Sequence, residues 1–385
     1  MIYIFFICCL FIPEGLKGSS FSYLYWILMV GKYLGSIYFI TEYISKFKIS
    51  IVFKFFVCFH LTILISSFLN GSDLSIYRTW INATIPSLAA IAMIEIKCQA
   101  KSFMALDKIY YALLFLVVVN LIFMLFFPDG ISFVETQGSS STYREVGTHF
   151  LSVKNRLILW FLLLLLFNFL YNLRKFDSFY AKKDIIIYSI ILLQLLYVES
   201  TTSILAILFF ILSPVLYYWK QIRRAVSTFN FFLAYVSIMF FLIFFSHNSS
   251  FYEEFVTETL GKNIYMSGRT YIWDISLLKI MASPILGYGN AGNGNIIEWN
   301  GYLWYAHNLF LDILIQGGGI ALLFFLCVIF SLFKKRKIDN KELFISTLSI
   351  GVIFILGISE SFLNYPQLYI CMSLNYYLKI SKKES

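Results

Sequence analysis

Residues 156–173 read RLILWFLLLLLFNFLYNL, and the basic pair Arg174 and Lys175 follows directly. An apolar run of this length is close to the roughly 20 residues that cross about 30 Å of hydrocarbon. Similar runs recur along the 385 residues, of which 59% are hydrophobic and only 13% are charged. Soluble domains carry about 25% charged residues. The sequence therefore predicts an integral membrane protein.

Twelve apolar runs divide the chain. Their approximate bounds are 2–12, 21–43, 49–69, 76–96, 109–127, 156–173, 185–198, 201–219, 229–246, 304–333, 343–359 and 362–378. Only Glu199 and Ser200 separate the seventh run from the eighth, so one bent helix is the alternative to two spans. We predict an all-α helical bundle of about twelve transmembrane helices, forming a single membrane domain over residues 1–385.

The lysines and arginines predict the orientation of this bundle. The net charge is +9, and most of the 30 basic residues lie in connections that follow even-numbered runs. Cytoplasmic loops collect Lys and Arg, so both termini are expected in the cytoplasm. This placement accounts for the basic excess without a nucleic-acid partner. The bilayer itself is the first partner that the composition implies.

Two longer connections, at about 128–155 and 247–303, are expected on the opposite side of the membrane. Connections longer than about 12–15 residues are usually functional or disordered. The second of these is not of low complexity, and residues 271–281 predict a short helix lying on the membrane face. We therefore expect residues 247–303 to form a large external loop that contains short helices.

The densest cluster of chemically unusual residues runs from Ser267 to Gly319. His307, where the loop enters a span, could accept a proton from a hydroxyl near neutral pH. Arg269 could bind a phosphate or pyrophosphate through its fork of donors. The alternative to a catalytic role is that His307 is a hydrogen-bonded structural residue at the membrane interface. The alternative to ligand binding is that Arg269 is a solvated surface charge. Glycines 317–319 predict a kink or close helix packing, and residues 287–294 predict a turn.

Several pieces of the sequence resemble the signature of the O-antigen polymerase and O-antigen ligase superfamily (Wzy and WaaL type). Three lie in the cluster: Gly-Arg at 268–269 before a Trp-containing helix, Pro-x-x-Gly-x-Gly at 284–289, and His-Asn-x-x-Leu-x-x-Leu at 307–314. A fourth piece, from Gly147 to Lys154-Asn155, is similar to a Gly-x-x-x-x-x-x-Lys-Asn motif of that family. The number of spans and the one large external loop are also similar.

This resemblance implies a glycosyltransferase on the outer face of the bacterial inner membrane. The donor is then an oligosaccharide on undecaprenyl pyrophosphate and the acceptor is a sugar hydroxyl, with no metal or other cofactor. We interpret the chain as a polymerase of O-antigen or capsular repeat units, with a chain-length regulator protein as a further partner. The alternatives are an O-antigen ligase, which transfers the glycan to lipid A–core, and a transporter of lipid-linked glycan.

The resemblance also assigns residue roles. It implies that His307 is the catalytic base or orients the acceptor, and that Arg269 binds the donor pyrophosphate. In this family, ligases and many of their relatives carry an arginine at the start of the eighth span. Residues 199–203 read ESTTS here, and the missing arginine favours a polymerase. A second cation must then come from Arg78, Arg144 or Arg156, of which Arg156 is the weakest candidate, because a basic residue at a span end is commonly a headgroup anchor. The remaining predicted substrate-binding residues are Arg78, Arg144, Asn308, Lys154 and Glu360.

Overall fold

The computed structural model describes residues 2–17, 22–71, 74–100, 104–137, 142–245, 269–290, 296–299, 302–333 and 340–380. The α-helices are α1 Ile2–Leu10, α2 Ser22–Lys46, α3 Ile51–Asn70, α4 Leu74–Gln99, α5 Met104–Phe126, α6 Leu157–Phe176, α7 Asp184–Tyr197, α8 Thr201–Leu212, α9 Lys220–Ala225, α10 Thr228–Phe245, α11 Arg269–Ala282, α12 Leu309–Leu332, α13 Lys341–Gly357 and α14 Pro366–Ile380. Two antiparallel hairpins join β1 Ile131–Gln137 to β2 Thr142–Thr148, and β3 Ile297–Trp299 to β4 Tyr302–Trp304.

Each of the predicted apolar runs contains one of these helices, so the predicted all-α polytopic fold is confirmed. Within the described residues, 7 helices are long and apolar enough to cross a membrane. The remaining runs form α1, α7, α10, α13 and α14. The two small hairpins were not predicted, because an apolar run of membrane length does not signal a short strand. Of the predicted external loop, residues 269–290, 296–299 and 302–303 are described, and α11 is the short helix expected there.

Helix α6 lies at the centre of the bundle. Every residue from Leu157 to Leu173 is buried. Leucine and phenylalanine occupy all sides of this helix, and a helix that is apolar all round is stable only when it is surrounded. Helices α5, α8, α13 and α14 pack around it. Because α6 begins at Leu157, Arg156 is held at the end of this core.

Helices α7 and α8 are two helices rather than one bent helix. The N–H of Val198 donates to the carbonyl of Gln194 at 3.1 Å, and Glu199 then adopts a left-handed φ of 51°. The chain reverses through this residue, and α8 packs against α7. The regular alternation of the basic clusters favours the same division.

The glycine run in α12 produces the predicted kink. Gly318 has φ 61° and ψ −161°, which breaks the helix. The turn at residues 284–289 fits into this break: the N–H of Gly319 donates to the carbonyl of Pro284 at 2.8 Å, and the N–H of Gly289 donates to the carbonyl of Gln316 at 2.8 Å. A side chain at 318 would overlap the carbonyl of Ile285. The Pro-x-x-Gly-x-Gly turn therefore holds α12 in its bent form.

The N-terminal segment is held close to the connection that precedes α6. Helix α1 packs on α2, where Gly31 lies against Cys9 and Gly35 against Phe6. Small residues four positions apart allow such close approach of two membrane helices. After α1, the N–H groups of Glu14 and Gly15 donate to carbonyls of residues 151 and 150 at 3.1 and 3.0 Å. This brings Glu14 to the start of α6.

Candidate active site

A cavity of about 600 Å³ lies where the segments before α6, α12 and α14 meet. Pockets that bind small ligands usually measure about 300–1,000 Å³. Part of its wall comes from α2 and α4, which lie on one side of these segments. Its acidic, basic and histidine lining residues are Glu14, Lys17, Lys32, Lys154, Arg156, His307, Asp312 and Glu360. The cavity is therefore large and polar enough to hold part of a charged ligand.

His307 stands at the entry to α12 in a strained backbone conformation. Its φ of 46° is left-handed, which is uncommon for a residue other than glycine. Such strain persists where the surrounding structure enforces it, and it is concentrated at functional sites. The imidazole lies against the ring of Tyr305, with centroids 4.0 Å apart, and its Nδ1 is 3.8 Å from Oε1 of Glu360. An imidazolium formed here would face a carboxylate.

Glu360 is held as a buried carboxylate in the segment between α13 and α14. Its Oε1 accepts hydrogen bonds from the Tyr305 hydroxyl and, at 3.1 Å, from the Ser361 N–H. Burial alone would raise the pKa of Glu360, but His307, Arg156 and Tyr305 outweigh it and lower that pKa to about 2. His307 Nδ1 lies 3.8 Å from Oε1 of Glu360, which is longer than a hydrogen bond. Glu360 is therefore ionised at neutral pH.

The Arg156 guanidinium lies between two aromatic rings that line the cavity. Its central carbon is 5.4 Å from the centroid of Tyr365 and 5.9 Å from that of Tyr305. The hydroxyl of Tyr365 donates to Oε1 of Glu14 at 3.0 Å. Burial raises the pKa of both phenols, so they remain protonated donors. A planar guanidinium held by aromatic faces keeps its five N–H donors in fixed directions, which suits binding of a phosphate.

Three of the predicted site residues line this cavity: His307, Glu360 and Lys154. Asp312, one turn into α12, joins them and accepts a hydrogen bond from the Ser361 hydroxyl. The geometry thus brings together an imidazole, an ionised carboxylate beside it and several cations. Such a group can remove a proton from a hydroxyl, stabilise the imidazolium and neutralise a departing phosphate.

The other predicted residues lie elsewhere. Arg269 begins α11 and, among the described residues, is not part of the cavity wall. It stands one turn before Trp273, whose side chain packs in a small apolar cluster with Ala306. Arg78 lies on α4 next to the lining residue Thr79. The backbone of Arg144 pairs with Glu135 in the first hairpin, and its side chain is outside the described part.

Asn308, which the resemblance predicts as a substrate-binding residue, caps α12 in the structure. It is fully buried, and its side-chain oxygen accepts the N–H groups of Phe310 and Leu311, each at 3.1 Å. This is the helix cap that satisfies the first free N–H groups of α12. The same oxygen accepts the Tyr235 hydroxyl at 2.9 Å, and the amide nitrogen donates to the carbonyl of Ile358 at 3.0 Å. Asn308 thus fixes the entry of α12, next to His307.

Arg156, the weakest of the predicted second cations, lies against Tyr305, acts on the Glu360 carboxylate and lines the same cavity as His307. Its signal was present in the sequence, since it directly follows the Lys154-Asn155 motif. Lys32 also lines the cavity but is not among the predicted site residues, although an ionisable residue within a membrane span is a functional candidate by default. The aromatic partners Tyr305 and Tyr365 carried no sequence signal, because aromatic residues occur throughout this chain.

Residues 186–326 match a family model described as O-antigen ligase. A candidate polysaccharide ligase of Rickettsia conorii is 34% identical over 87 residues, which cover 19% of this chain and 21% of that protein. A second, from Rickettsia felis, is 35% identical over 79 residues, which cover 17% of this chain and 19% of its own. The chain thus matches about a fifth of the length of these relatives. No solved structure matches it significantly.

The fold and the cavity define a polytopic helical membrane protein with a charged site at the ends of its helices. The family match extends from α7 into α12 and includes Arg269 and His307. The predicted resemblance to the O-antigen polymerase and ligase superfamily is therefore confirmed. Arg156, Glu360 and Lys32 lie outside the matched segment, so other parts of the chain complete the site.

Proposed function

We propose that this protein is a glycosyltransferase of the polysaccharide-ligase type. It transfers a glycan from a lipid-linked pyrophosphate to the hydroxyl of an acceptor sugar. The observation that carries the proposal is the juxtaposition of His307, Glu360 and Arg156 in one cavity. The donor is an oligosaccharide on undecaprenyl pyrophosphate, and the protein acts in the bacterial inner membrane with both termini in the cytoplasm.

The reaction follows from these positions. His307 removes the proton of the acceptor hydroxyl as its oxygen bonds to the first carbon of the donor glycan. The bond between that carbon and the phosphate oxygen breaks, and the electron pair leaves with the lipid pyrophosphate. Glu360 stabilises the imidazolium, as a carboxylate beside a catalytic histidine does. Arg156, with Lys154 nearby, stabilises the charge that develops on the leaving group.

A ligase is preferred to the polymerase that the sequence favoured. The matched family model is described as O-antigen ligase, and the two relatives are candidate polysaccharide ligases. A polymerase remains the second candidate, because α8 begins without the arginine that relatives carry there. Both use the same bond chemistry and differ only in the acceptor, either lipid A–core or another repeat unit. For a polymerase, a chain-length regulator is a further partner.

Three arginines outside the cavity wall contact the glycan or its pyrophosphate: Arg269, Arg78 and Arg144. Arg269 is the best placed of the three, since α11 packs on α12 close to Ala306. Exchanging Arg269 for glutamine is expected to raise KM for the donor, while His307→Ala lowers kcat.

The test is deletion of the gene, complemented with wild type, His307→Ala or His149→Ala. His149 is a matched control, because it lies in the same external region but outside the cavity lining. Wild type and His149→Ala are expected to restore the surface glycan, and His307→Ala is not, at equal protein abundance. In the deletion strain, polymer that accumulates on its lipid carrier identifies a ligase, and single repeat units identify a polymerase. Restoration by His307→Ala, or retention of the glycan inside the cell, contradicts the proposal.

A further inference from the structure

Lys32 is an ionisable side chain deep in a membrane helix. It lies 10 residues after Ser22, the start of α2, which corresponds to about 15 Å along the helix axis. Tyr25, Met29 and Lys32 all line the cavity, and their spacing of four and three residues places them on one helix face. The cavity therefore reaches from His307 into the depth of the membrane along α2.

Another side of α2 is apolar and exposed. Trp26, Val30 and Leu34 are 56%, 60% and 60% exposed, which suits contact with lipid. A charge within a membrane span is costly and is retained where it faces a polar cavity or a partner. Glu14 is the acid whose charge acts on Lys32 across the cavity, and Glu14 is itself bonded to the Tyr365 hydroxyl. Lys32 is thus a half-buried cation at the boundary between the polar cavity and the lipid.

A lipid-linked pyrophosphate has two phosphates with different surroundings. The phosphate bonded to the sugar must lie near the base, and the other must point toward the hydrocarbon tail. Arg156 lies beside Tyr305 and Glu360, close to the base, whereas Lys32 lies deeper on a lipid-facing helix. The charge pattern of the cavity therefore matches the direction in which such a donor must enter.

We propose that Lys32 binds the lipid-proximal phosphate of the donor, while Arg156 lies nearer the phosphate that is bonded to the sugar. This inference rests on the proposed function. The ligand chemistry is a phosphate group esterified to a polyprenyl tail. Lys32 is a binding residue and takes no part in proton transfer. The tail then leaves the cavity along α2, toward the exposed face that carries Trp26.

The experiment measures binding of farnesyl pyrophosphate to the full-length protein in phosphatidylcholine nanodiscs. Wild type is compared with Lys32→Gln, Lys32→Arg and the control Lys54→Gln, which removes an exposed lysine of α3. Loss of one charged hydrogen bond is expected to weaken binding about 10-fold to 100-fold in Lys32→Gln. Lys32→Arg keeps the charge and is expected to stay within a few-fold of wild type, as is Lys54→Gln. Rescue by arginine separates a lost phosphate contact from misfolding.

Four results overturn the inference. Equal affinity of Lys32→Gln and wild type removes Lys32 from the phosphate site but leaves the proposed function standing, provided that wild type binds and transfers. If inorganic pyrophosphate displaces farnesyl pyrophosphate as well as unlabelled farnesyl pyrophosphate does, Lys32 binds a free anion. If phosphatidylglycerol in the nanodiscs displaces it equally well, Lys32 binds a lipid headgroup. Absence of farnesyl pyrophosphate binding to wild type contradicts both the inference and the function on which it rests.

Discussion

Replacing Glu360 by glutamine removes the carboxylate charge that lies 3.8 Å from His307 Nδ1 and keeps a side chain of nearly the same shape. Two unit charges about 4 Å apart interact by about 4 kcal/mol at an effective dielectric constant near 20. Arg156 and Tyr305 also interact with the Glu360 carboxylate. We therefore expect its removal to cost the imidazolium about half of this interaction energy, about 2 kcal/mol. That loss corresponds to a kcat about 30-fold lower.

The assay is glycan transfer by purified protein in nanodiscs, with kcat and KM measured separately. KM for the donor is expected to change little, because Glu360 stabilises a charge that forms only during the reaction. Glu298→Gln is the matched control, since this acid on β3 is exposed and lies outside the cavity lining. A Glu360→Gln enzyme with wild-type kcat would refute the assignment of His307 as a base assisted by this carboxylate.

Stability should depend on Glu360 in a defined pH window. Its pKa falls from an ordinary value of 4.5 to about 2 on folding, so ionisation favours the folded state by about 3 kcal/mol. Because the folded pKa is the lower one, this contribution is complete above about pH 5 and disappears as the pH falls toward 2. The difference in melting temperature between wild type and Glu360→Gln is therefore expected to be smaller at pH 3 than at pH 5. A difference that is as large at pH 3 as at pH 5 contradicts this reasoning.

Three further substitutions test the site and its support. Arg156→Lys loses the planar fork against Tyr365, so KM for the donor should rise about 10-fold or more, and an unchanged KM would argue against phosphate binding. Gly318→Ala should lower the free energy of unfolding by at least about 2 kcal/mol, because φ is 61° there, as read from thermal melts. Gly319→Ala, whose Cβ would be 3.3 Å from the nearest atom, is the control, and equal melting of the two would contradict the packing argument. Asn308→Ala should cost about 3 kcal/mol through the lost cap and two unpaired buried groups; unchanged melting with a raised KM would instead support the predicted substrate contact.

The helices were predictable because membrane-length apolar runs are local features. Run 156–173 became the buried α6, and the glycines of α12 produced the expected kink. Residues with a clear chemical signal at a span boundary were also found, since His307 and Glu360 both line the cavity. The pattern of apolar runs therefore predicted the helical bundle, and the chemistry of single residues predicted His307 and Glu360 in the candidate site.

The partners of those residues could not be predicted, because they come together only through tertiary packing. Glu14 and Tyr365 lie 351 positions apart and are joined by a hydrogen bond. In sequence Arg156 looks like an ordinary headgroup anchor. In the structure the segments before α12 and α14 place the rings of Tyr305 and Tyr365 beside it. Asn308 looks like a ligand contact in sequence, but its neighbours in space make it a helix cap.

The most direct test of the central claim is a single-turnover reaction with purified protein and a defined polyprenyl-pyrophosphate glycan. Wild type is expected to transfer the glycan to the acceptor and release one polyprenyl pyrophosphate for each bond formed. His307→Ala should bind the donor with wild-type affinity and transfer at least about 100-fold more slowly, since general-base catalysis contributes about 10²–10⁴-fold. Transfer by His307→Ala at the wild-type rate would contradict the account and place the reaction outside this cavity.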